Sequence, residues 1–261
     1  MKIDFAEIAP LLCRHLKGDA SAVGDTVHTR SDSRGGLFRL PLANGGSMVF
    51  KVWRIRNAKE RLKSVTHLSN GWREWRMHQF VYRAGIDVPA PFCFQQITIP
   101  GFSHCEIMAI EDVGKVESGV PYLKRLIAAG LDDEIIAFED RMIDITSQLL
   151  KLKIIDVDNQ LNNFLINSVD RVIRIDFECA RKPCFFTLRK RKYATMLERL
   201  LRSHLHATYP ASERTSRFML RLAERLELPA DIRKMVLAIN EQELARENRG
   251  SKTTYAIDLK W

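Results

Sequence analysis

The sequence has no long apolar run and no paired cysteine motif. No stretch approaches the ~18–20 consecutive apolar residues of a membrane-spanning helix, so we expect no such helix. The 5 cysteines are scattered, odd in number and include no Cys-x-x-Cys, which argues against a disulfide framework and a zinc site. The N-terminal stretch carries acids within its short apolar part and lacks a small-residue cleavage site, which argues against a signal peptide. Together these absences favour a cytoplasmic protein.

The sequence also lacks a complete Gly-x-Gly-x-x-Gly loop. In its place, segment 30–36 ends in the adjacent glycines Gly35 and Gly36, between β-forming segments at 23–29 and 37–42. An ordinary hairpin turn explains two adjacent glycines at least as well as a nucleotide-covering loop does. The segment is therefore a weak candidate for such a loop and needs support from other motifs.

The composition is that of a soluble globular protein with an excess of positive charge. Of the 261 residues, 46% are hydrophobic and 28% are charged. The net charge of +9 favours an anionic partner such as nucleic acid, a phospholipid surface or a phosphorylated glycolipid, although many soluble proteins are basic without such a partner. One local cluster is more informative, because the segment from Arg181 to Lys192 contains six cations and no acid.

Three oxygen-bearing side chains bracket a predicted β-hairpin. Two apolar runs within residues 164–175 flank a polar turn, a pattern typical of paired antiparallel strands. Asp158 and Asn163 precede the first strand and Asp176 follows the second, so we expect the three side chains to converge where the hairpin ends meet. Oxygen ligands without His or Cys suit Mg²⁺, whose coordination shell substrate phosphates often complete. The structural alternative is a polar hairpin with a capped turn.

A second pair of charges lies upstream. Lys51 lies inside the β-forming segment 47–53, among apolar residues, where a cation is costly to bury without a charge partner. Glu74 lies one turn into a helix predicted at 70–85, from which it could reach Lys51. Each residue alone is better explained as a solvent-exposed charge, but their succession favours an ion pair.

The order of these motifs resembles the protein-kinase-like fold. In that fold a strand Lys and a helix Glu precede His-x-Asp, four residues, Asn, and then Asp-Phe-Gly. In this chain Asp156 replaces the His and Glu178 replaces the Gly, the latter a change found in sugar- and antibiotic-kinase branches. The sequence therefore resembles the bacterial lipopolysaccharide-core kinases, which phosphorylate Kdo or heptose, and their small-molecule kinase relatives.

The resemblance implies an α+β, bilobal architecture. We expect an N-terminal extension at 1–22, a nucleotide-binding lobe at 23–112 with an antiparallel sheet and a Glu-bearing helix, and a mainly helical lobe at 113–261 with the catalytic loop. Segments 84–91 and 111–114 resemble the linker into the fourth strand and the hinge between the lobes.

Local patterns predict the remaining elements. Residues 3–17 are loosely helical, with Pro10 breaking the pattern. The other predicted elements are strands at 92–99 and 104–110 and helices at 57–68, 122–129, 132–153, 193–208, 214–226 and 230–248.

The resemblance also implies an activity, the ATP-dependent transfer of a phosphoryl group to a hydroxyl, with ATP and Mg²⁺ as cofactors. Lys51, held by Glu74, would position the phosphates of ATP. Asn163 and Asp176 would hold Mg²⁺, and Asp158 would orient or deprotonate the acceptor hydroxyl.

The acceptor implied by the resemblance is a sugar of the lipopolysaccharide inner core, Kdo or heptose. This anionic glycolipid would be met at the cytoplasmic face of the inner membrane, so we expect peripheral membrane contact and no nucleic-acid partner. The basic cluster from Arg181 to Lys192 follows the metal-binding Asp and suits an acceptor that carries phosphate or carboxylate.

Two other functions are compatible with the same motifs. One is a kinase of a soluble small molecule or of a protein. The other is a catalytically inactive kinase-like module that binds or regulates, which the replacements at Asp156 and Glu178 and the poor glycine loop support. Against the inactive module, all five polar positions that phosphoryl transfer needs are present: Lys51, Glu74, Asp158, Asn163 and Asp176.

Overall fold

The structure is a computed structural model that describes residues 5–17, 19, 24–29, 35–42, 46–99, 103–168, 171–182 and 186–250. The chain forms two compact units, Met1–Gly114 and Lys115–Trp261. The first contains an antiparallel sheet with helices and the second is mainly helical, which agrees with the predicted α+β class. Most of the predicted nucleotide-covering loop, residues 30–34, lies outside the described residues.

A five-stranded antiparallel sheet is the frame of the first unit. Its strands along the chain are β1 (Asp25–Thr29), β2 (Gly35–Pro41), β3 (Ser47–Ile55), β4 (Pro91–Ile99) and β5 (Ser103–Glu111). Their spatial order is β1-β2-β3-β5-β4, so β3 lies at the centre with β2 and β5 on either side. All five were predicted, with ends that differ from the observed ones by at most two residues.

Helix α1 (Phe5–Leu16) packs against this sheet. Ile8 and Leu12 are buried in one apolar cluster with Phe38 and Phe50, which come from β2 and β3. Pro10 lies inside the helix, so the predicted break at this residue is wrong. Burial of the apolar residues on either side of Pro10 outweighs the single backbone hydrogen bond that proline cannot make.

Two helices follow β3, namely α2 (Ala58–Val65) and α3 (Asn70–Arg83). The side chain of Ser69 caps the start of α3 by accepting a hydrogen bond of 3.2 Å from the backbone N–H of Trp72. After α3, Gly85 adopts a φ of 79°, a left-handed conformation that glycine favours at helix ends.

Alternation along β3 separates the two faces of the sheet. Phe50 belongs to the apolar cluster that includes α1, whereas Val49 and Trp53 of the same strand belong to a second cluster with Trp75 of α3. Because side chains alternate along a strand, α1 and α3 lie on opposite faces. Lys51 has the same parity as Val49, so β3 directs it to the face that α3 covers.

Gly35 is required by the close approach of β2 to β3. It has a φ of 134°, and a Cβ at this position would lie 1.9 Å from the carbonyl oxygen of Val52. Neither the backbone conformation nor the space admits a side chain. One of the two glycines assigned to the covering loop is thus a structural residue of the sheet.

The helices of the second unit are α4 (Gly119–Ala129), α5 (Asp132–Lys151), α6 (Phe186–Thr208), α7 (Ser212–Arg225) and α8 (Ala230–Gly250). Helix α6 is central, because it contacts α4, α7 and α8. It begins seven residues before the predicted start at residue 193, since the basic residues from Arg189 to Lys192 contribute no apolar periodicity. None of the described helices is both long and apolar enough to span a membrane.

A buried polar network joins three of these helices. His204 of α6 lies with its Nε2 2.8 Å from Oε1 of Glu139 in α5 and its Nδ1 2.9 Å from the hydroxyl of Thr215 in α7. Arg221 of α7 also pairs with Glu139. Because each of these polar groups has a partner, their burial costs little, and the network links α6 to α5 and α7.

Short strands complete the second unit: β6 (Glu117–Ser118), β7 (Ile155–Asp156), β8 (Phe164–Ser168), β9 (Arg171–Arg174) and β10 (Ala180–Arg181). Strands β8 and β9 form the predicted hairpin, in which Phe164 lies opposite Arg174. Strand β6 joins β8, and β7 pairs with β10. The sequence did not predict β6, β7 and β10, because two residues are too few for an alternating pattern.

Replacing Leu12 with Ala tests whether α1 belongs to the core of the first unit. Leu12 is fully buried, so Leu12→Ala should lower the free energy of unfolding by about 2–5 kcal/mol through the cavity that it leaves. Leu62 is 65% exposed, and the control Leu62→Ala should change it by less than about 0.5 kcal/mol. Urea unfolding measures both variants, and equally small effects would show that α1 does not pack as described.

Candidate functional site

Lys51 and Glu74 form an ion pair within the first unit. Nζ of Lys51 lies 2.7 Å from Oε1 and 2.8 Å from Oε2 of Glu74. The Glu74 side chain is 1% exposed and that of Lys51 14%. Strand β3 directs Lys51 to the face that α3 covers, and Glu74 lies in the second turn of α3. The carboxylate therefore fixes a partly buried ammonium group on the central strand of the sheet.

His78 anchors the helix that carries Glu74. It lies one turn further along α3, is buried, and places its Nε2 2.6 Å from the carbonyl oxygen of Pro89. Burial lowers the pKa of His78 to about 4, against the opposing effect of its bond to Pro89, and the charge of Lys51 adds to the lowering. The imidazole is therefore neutral at pH 7 and donates its Nε2–H to Pro89, within the predicted linker at 84–91.

The predicted hinge, Glu111–Gly114, is the last segment of the first unit. Oδ2 of Asp112 lies 2.8 Å from Nε of Arg39 in β2 and accepts a hydrogen bond from the Ser47 hydroxyl in β3. Burial opposes ionisation of Asp112, but these contacts and the Gly114 N–H lower the pKa of its carboxyl overall. Polar contacts thus hold this segment to the sheet.

In the second unit, Asp158 and Asn163 lie side by side in the segment that joins β7 to β8. The Asp158 N–H donates to Oδ1 of Asp156 at 3.1 Å. Nδ2 of Asn163 donates to the backbone carbonyl of Asp158 at 2.7 Å, and it lies 3.4 Å from the Asp158 carboxylate. A short 3-10 turn at Leu161–Asn163 brings the chain back to make this contact.

The guanidinium of Arg174 holds the ends of this segment. Arg174 and Asp156 are both 0% exposed, and Nη2 of Arg174 lies 2.5 Å from Oδ2 of Asp156. Nη1 of Arg174 donates to the carbonyl of Asn163 at 3.0 Å and to the carbonyl of Ile175. One cation therefore links Asp156, Asn163 and Ile175, the residue before Asp176.

Aromatic rings and charge make the burial of this pair possible. The Arg174 guanidinium lies 5.2 Å from the ring centroid of Phe164 and 5.4 Å from that of Phe177. Burial raises the pKa of Asp156, and the charge of Arg174 opposes this rise by favouring the ionised carboxylate.

Asp176 follows the hairpin in an uncommon backbone conformation. Its φ is 61°, in the left-handed region that aspartate tolerates better than most residues. Oxygen atoms of Asp176 and Glu178 lie within 4.8 Å of each other. Partial burial raises the pKa of the neighbouring Cys179 thiol, and the charges of Asp158 and the other nearby carboxylates add to this rise. The second unit therefore concentrates negative charge here.

This set of donors fits a hard divalent cation. Asp158, Asn163, Asp176 and Glu178 offer only oxygen ligands, which Mg²⁺ prefers. Since Nδ2 of Asn163 bonds to the Asp158 carbonyl, its Oδ1 is the atom suited to a metal. Asn163 and Asp176 are therefore the candidate ligands.

One basic residue lies beside Asp158, and two others of the predicted basic cluster have different partners. Nε of Arg199 in α6 lies 3.8 Å from Oδ1 of Asp158, with both side chains partly exposed. Within the predicted basic cluster, Arg181 donates to the backbone carbonyls of Glu178 and Ala180, and Lys190 pairs with Asp231 at 2.7 Å. These two cations have structural contacts.

Sequence analysis missed Arg174, His78 and Arg199 as site residues. Arg174 resembled an ordinary strand cation, although Asp156 in place of a His was a signal that a different partner was needed. His78 follows Glu74 by one helical turn, and that spacing was the only sign of its proximity. Arg199 lies outside the motifs, and no local pattern marks it.

Removing the cation of the Asp156–Arg174 pair should be strongly destabilising. Arg174→Met leaves a buried carboxylate without its counter-charge, so we expect a loss of about 3–5 kcal/mol in the free energy of unfolding at pH 7. The double variant Asp156→Asn/Arg174→Met should recover part of that loss. Urea unfolding of the three proteins measures this.

The stability of the same variants should also depend on pH. Without Arg174, the pKa of Asp156 rises further in the folded state, so folding takes up a proton and stability increases as pH falls below 7. The deficit of Arg174→Met relative to wild type should therefore shrink at pH 5.5, and that of the double variant should not. A deficit independent of pH would contradict a charge-based role.

No protein-family model and no curated protein sequence matches the chain. Among solved structures, the chain is similar to one described as WaaP in complex with acyl carrier protein. The TM-score is 0.57 at 14% sequence identity, over 94% of this chain and 97% of the other. At this identity the likeness shows the fold alone. The chain has the protein-kinase-like fold, and the resemblance inferred from the motifs is confirmed at that level.

Proposed function

We propose that the protein is an ATP-dependent phosphotransferase with an alcohol group as acceptor. The observation that carries the proposal is the arrangement around Arg174, which bonds to Asp156 and Asn163 and so holds the loop of Asp158 next to the strand that leads to Asp176. Carboxylate and amide oxygens grouped beside a buried ion pair, here Asp156 and Arg174, are typical of a functional site. The paired Lys51 and Glu74 add support.

Lys51 is the proposed phosphate-binding residue. Glu74 fixes the direction of its ammonium group, which suits a role in positioning the α- and β-phosphates of ATP. Asn163 and Asp176 would hold Mg²⁺, which, when bound, neutralises charge on the phosphates.

Asp158 is the proposed proton acceptor. As the acceptor hydroxyl attacks the γ-phosphorus of ATP, its O–H proton would pass to the Asp158 carboxylate while the bond from the γ-phosphorus to the ADP oxygen breaks. The products are a phosphomonoester and ADP. The hydrogen bond from the backbone N–H of Asp158 to the Asp156 carboxylate orients Asp158 for this role.

For the acceptor, we propose a Kdo or heptose hydroxyl of the lipopolysaccharide inner core. The resemblance of the motifs to the lipopolysaccharide-core kinases supports this acceptor, and the kinase-like fold can carry such an activity. The partly exposed Arg199 beside Asp158 would attract an acceptor that carries a carboxylate or phosphate. A cytoplasmic protein with peripheral contact to the inner membrane would meet such an acceptor.

A kinase of a soluble small molecule or protein is the first alternative, and activity on a free sugar in place of a glycolipid would favour it. An inactive binding module is the second. The Asp156–Arg174 pair weighs against the second, because it supplies a structural partner for the residue that departs from the family pattern.

Two aspartate variants test the proposed chemistry. Asp158→Ala should lower kcat for phosphoryl transfer by about 10²–10⁴-fold, because the proton acceptor is lost. Asp176→Ala should abolish Mg²⁺-dependent ATP binding, and Asp133→Ala, an exposed acid at the start of α5, should change neither. The assay is transfer from ATP to purified inner-core lipopolysaccharide. Full activity of Asp158→Ala would contradict the assignment, and wild type that binds no ATP would favour the inactive module.

A second prediction concerns Arg199. If it binds an anionic acceptor, Arg199→Met should raise the KM for a Kdo glycoside by about tenfold, the cost of one charge-assisted hydrogen bond. The KM for the uncharged methyl ester should barely change, and Arg217→Met should leave both values unaltered. Equal increases in KM for both acceptors would indicate that Arg199 acts on Asp158 and does not bind the substrate.

A further inference from the structure

Helix α2 exposes its apolar side chains and buries a polar one. Leu62 and Val65 are 65% and 64% exposed, and Leu68, just beyond the helix, is 62% exposed. Ser64 is fully buried. Surface helices normally turn their apolar face to the core, so this orientation is inverted.

Hydrogen bonds hold α2 in this orientation. The Ser64 hydroxyl donates to Oε1 of the buried Glu106 in β5 at 2.7 Å, and Nε2 of Gln96 in β4 donates to the Ser64 carbonyl at 2.8 Å. The Asn57 side chain caps the helix by accepting from the Glu60 N–H at 2.9 Å. Because specific polar contacts fix the rotation of the helix, the outward apolar face is a built feature of the first unit.

Three cations surround the apolar side chains. Lys59, Arg61 and Lys63 are exposed, and none of them forms an ion pair with any residue that the structure describes. At about 100° per residue, Lys59 and Lys63 lie on one side of Leu62 and Arg61 lies on the other. The only acid of α2, Glu60, turns back to the N–H of Arg56 at 2.8 Å.

Aromatic residues border the same surface. His67 stacks on Trp72 with 4.2 Å between ring centroids, and Trp72 contacts Phe94 edge-on at 5.3 Å. These rings line an open cavity of about 300 Å³ together with the amides of Gln95 and Gln96. Aromatic rings next to polar groups are typical of the interfacial zone of a bilayer.

We propose that this surface, made of α2 and Leu68, docks on an anionic phospholipid bilayer. The aliphatic tips would enter the headgroup boundary, while Lys59, Arg61 and Lys63 would keep their charged ends at the level of the lipid phosphates. A bilayer accepts a small convex strip, whereas a stable protein interface buries about 800 Å² on each partner. A two-turn helix offers less than that, so a membrane fits better than an acidic protein.

Membrane docking through α2 does not depend on catalysis. Only the benefit of docking rests on the proposed function: docking would raise the local concentration of enzyme at a lipid-linked acceptor. Failure of docking and failure of the kinase proposal are therefore separable.

Co-sedimentation of the full chain with vesicles tests the docking. The probes are vesicles of phosphatidylcholine alone and of phosphatidylcholine with phosphatidylglycerol. Wild type should bind the anionic vesicles at least tenfold more strongly than the neutral ones. Leu62→Ser/Val65→Ser/Leu68→Ser and Lys59→Gln/Arg61→Gln/Lys63→Gln should each lose at least tenfold of this binding. The control Ile136→Ser/Leu220→Ser, at two exposed apolar positions of the second unit, should retain it.

Several results would overturn the proposal. Wild type could show no preference for anionic vesicles. The control could lose as much vesicle binding as the α2 variants, or both α2 variants could retain it. Absence of vesicle binding together with binding of an acidic helical protein that both α2 variants lose would assign the surface to a protein partner instead. Circular dichroism and urea unfolding check that the variants are folded, and turnover of a soluble acceptor should stay at the wild-type level in all of them.

Discussion

The candidate site of the second unit depends on one buried guanidinium. Arg174 binds the carboxylate of Asp156 and the carbonyls of Asn163 and Ile175, so it connects both ends of the loop that bears Asp158 to the strand that leads to Asp176. A buried cation needs partners, and here a carboxylate and two carbonyls accept hydrogen bonds from the two terminal nitrogens of Arg174, while two aromatic rings lie near its guanidinium. The loop conformation and the charge state of Asp156 are therefore linked.

The first unit contains a similar device. Lys51 and Glu74 are also largely withdrawn from water, although the Lys51 side chain retains some exposure. His78, kept neutral by burial, fixes the helix that bears Glu74 without adding a competing positive charge next to Lys51. One pair fixes a cation and the other fixes the loop that bears Asp158, as the proposed roles in phosphate binding and proton transfer require.

The five strands of the sheet, the hairpin and the order Lys51, Glu74, Asp158, Asn163, Asp176 could be predicted because they rest on local alternation and on motif spacing. Arg174 could not, because its role depends on a partner 18 residues away across a turn. Helix α1 was interpreted incorrectly at Pro10, since the packing that stabilises it comes from β2 and β3. The early start of α6 was missed because its first residues show no apolar period, and the rotation of α2 was missed because it is set by hydrogen bonds of Ser64 to residues distant in sequence.

The central claim is that these residues transfer phosphate to a core sugar. Phosphorus NMR of inner-core lipopolysaccharide incubated with the protein, ATP and Mg²⁺ tests it most directly. The account predicts a new phosphomonoester resonance on the sugar, with ADP formed in equal amount. Unchanged acceptor and ATP spectra, from a protein that is folded and binds ATP, would contradict it.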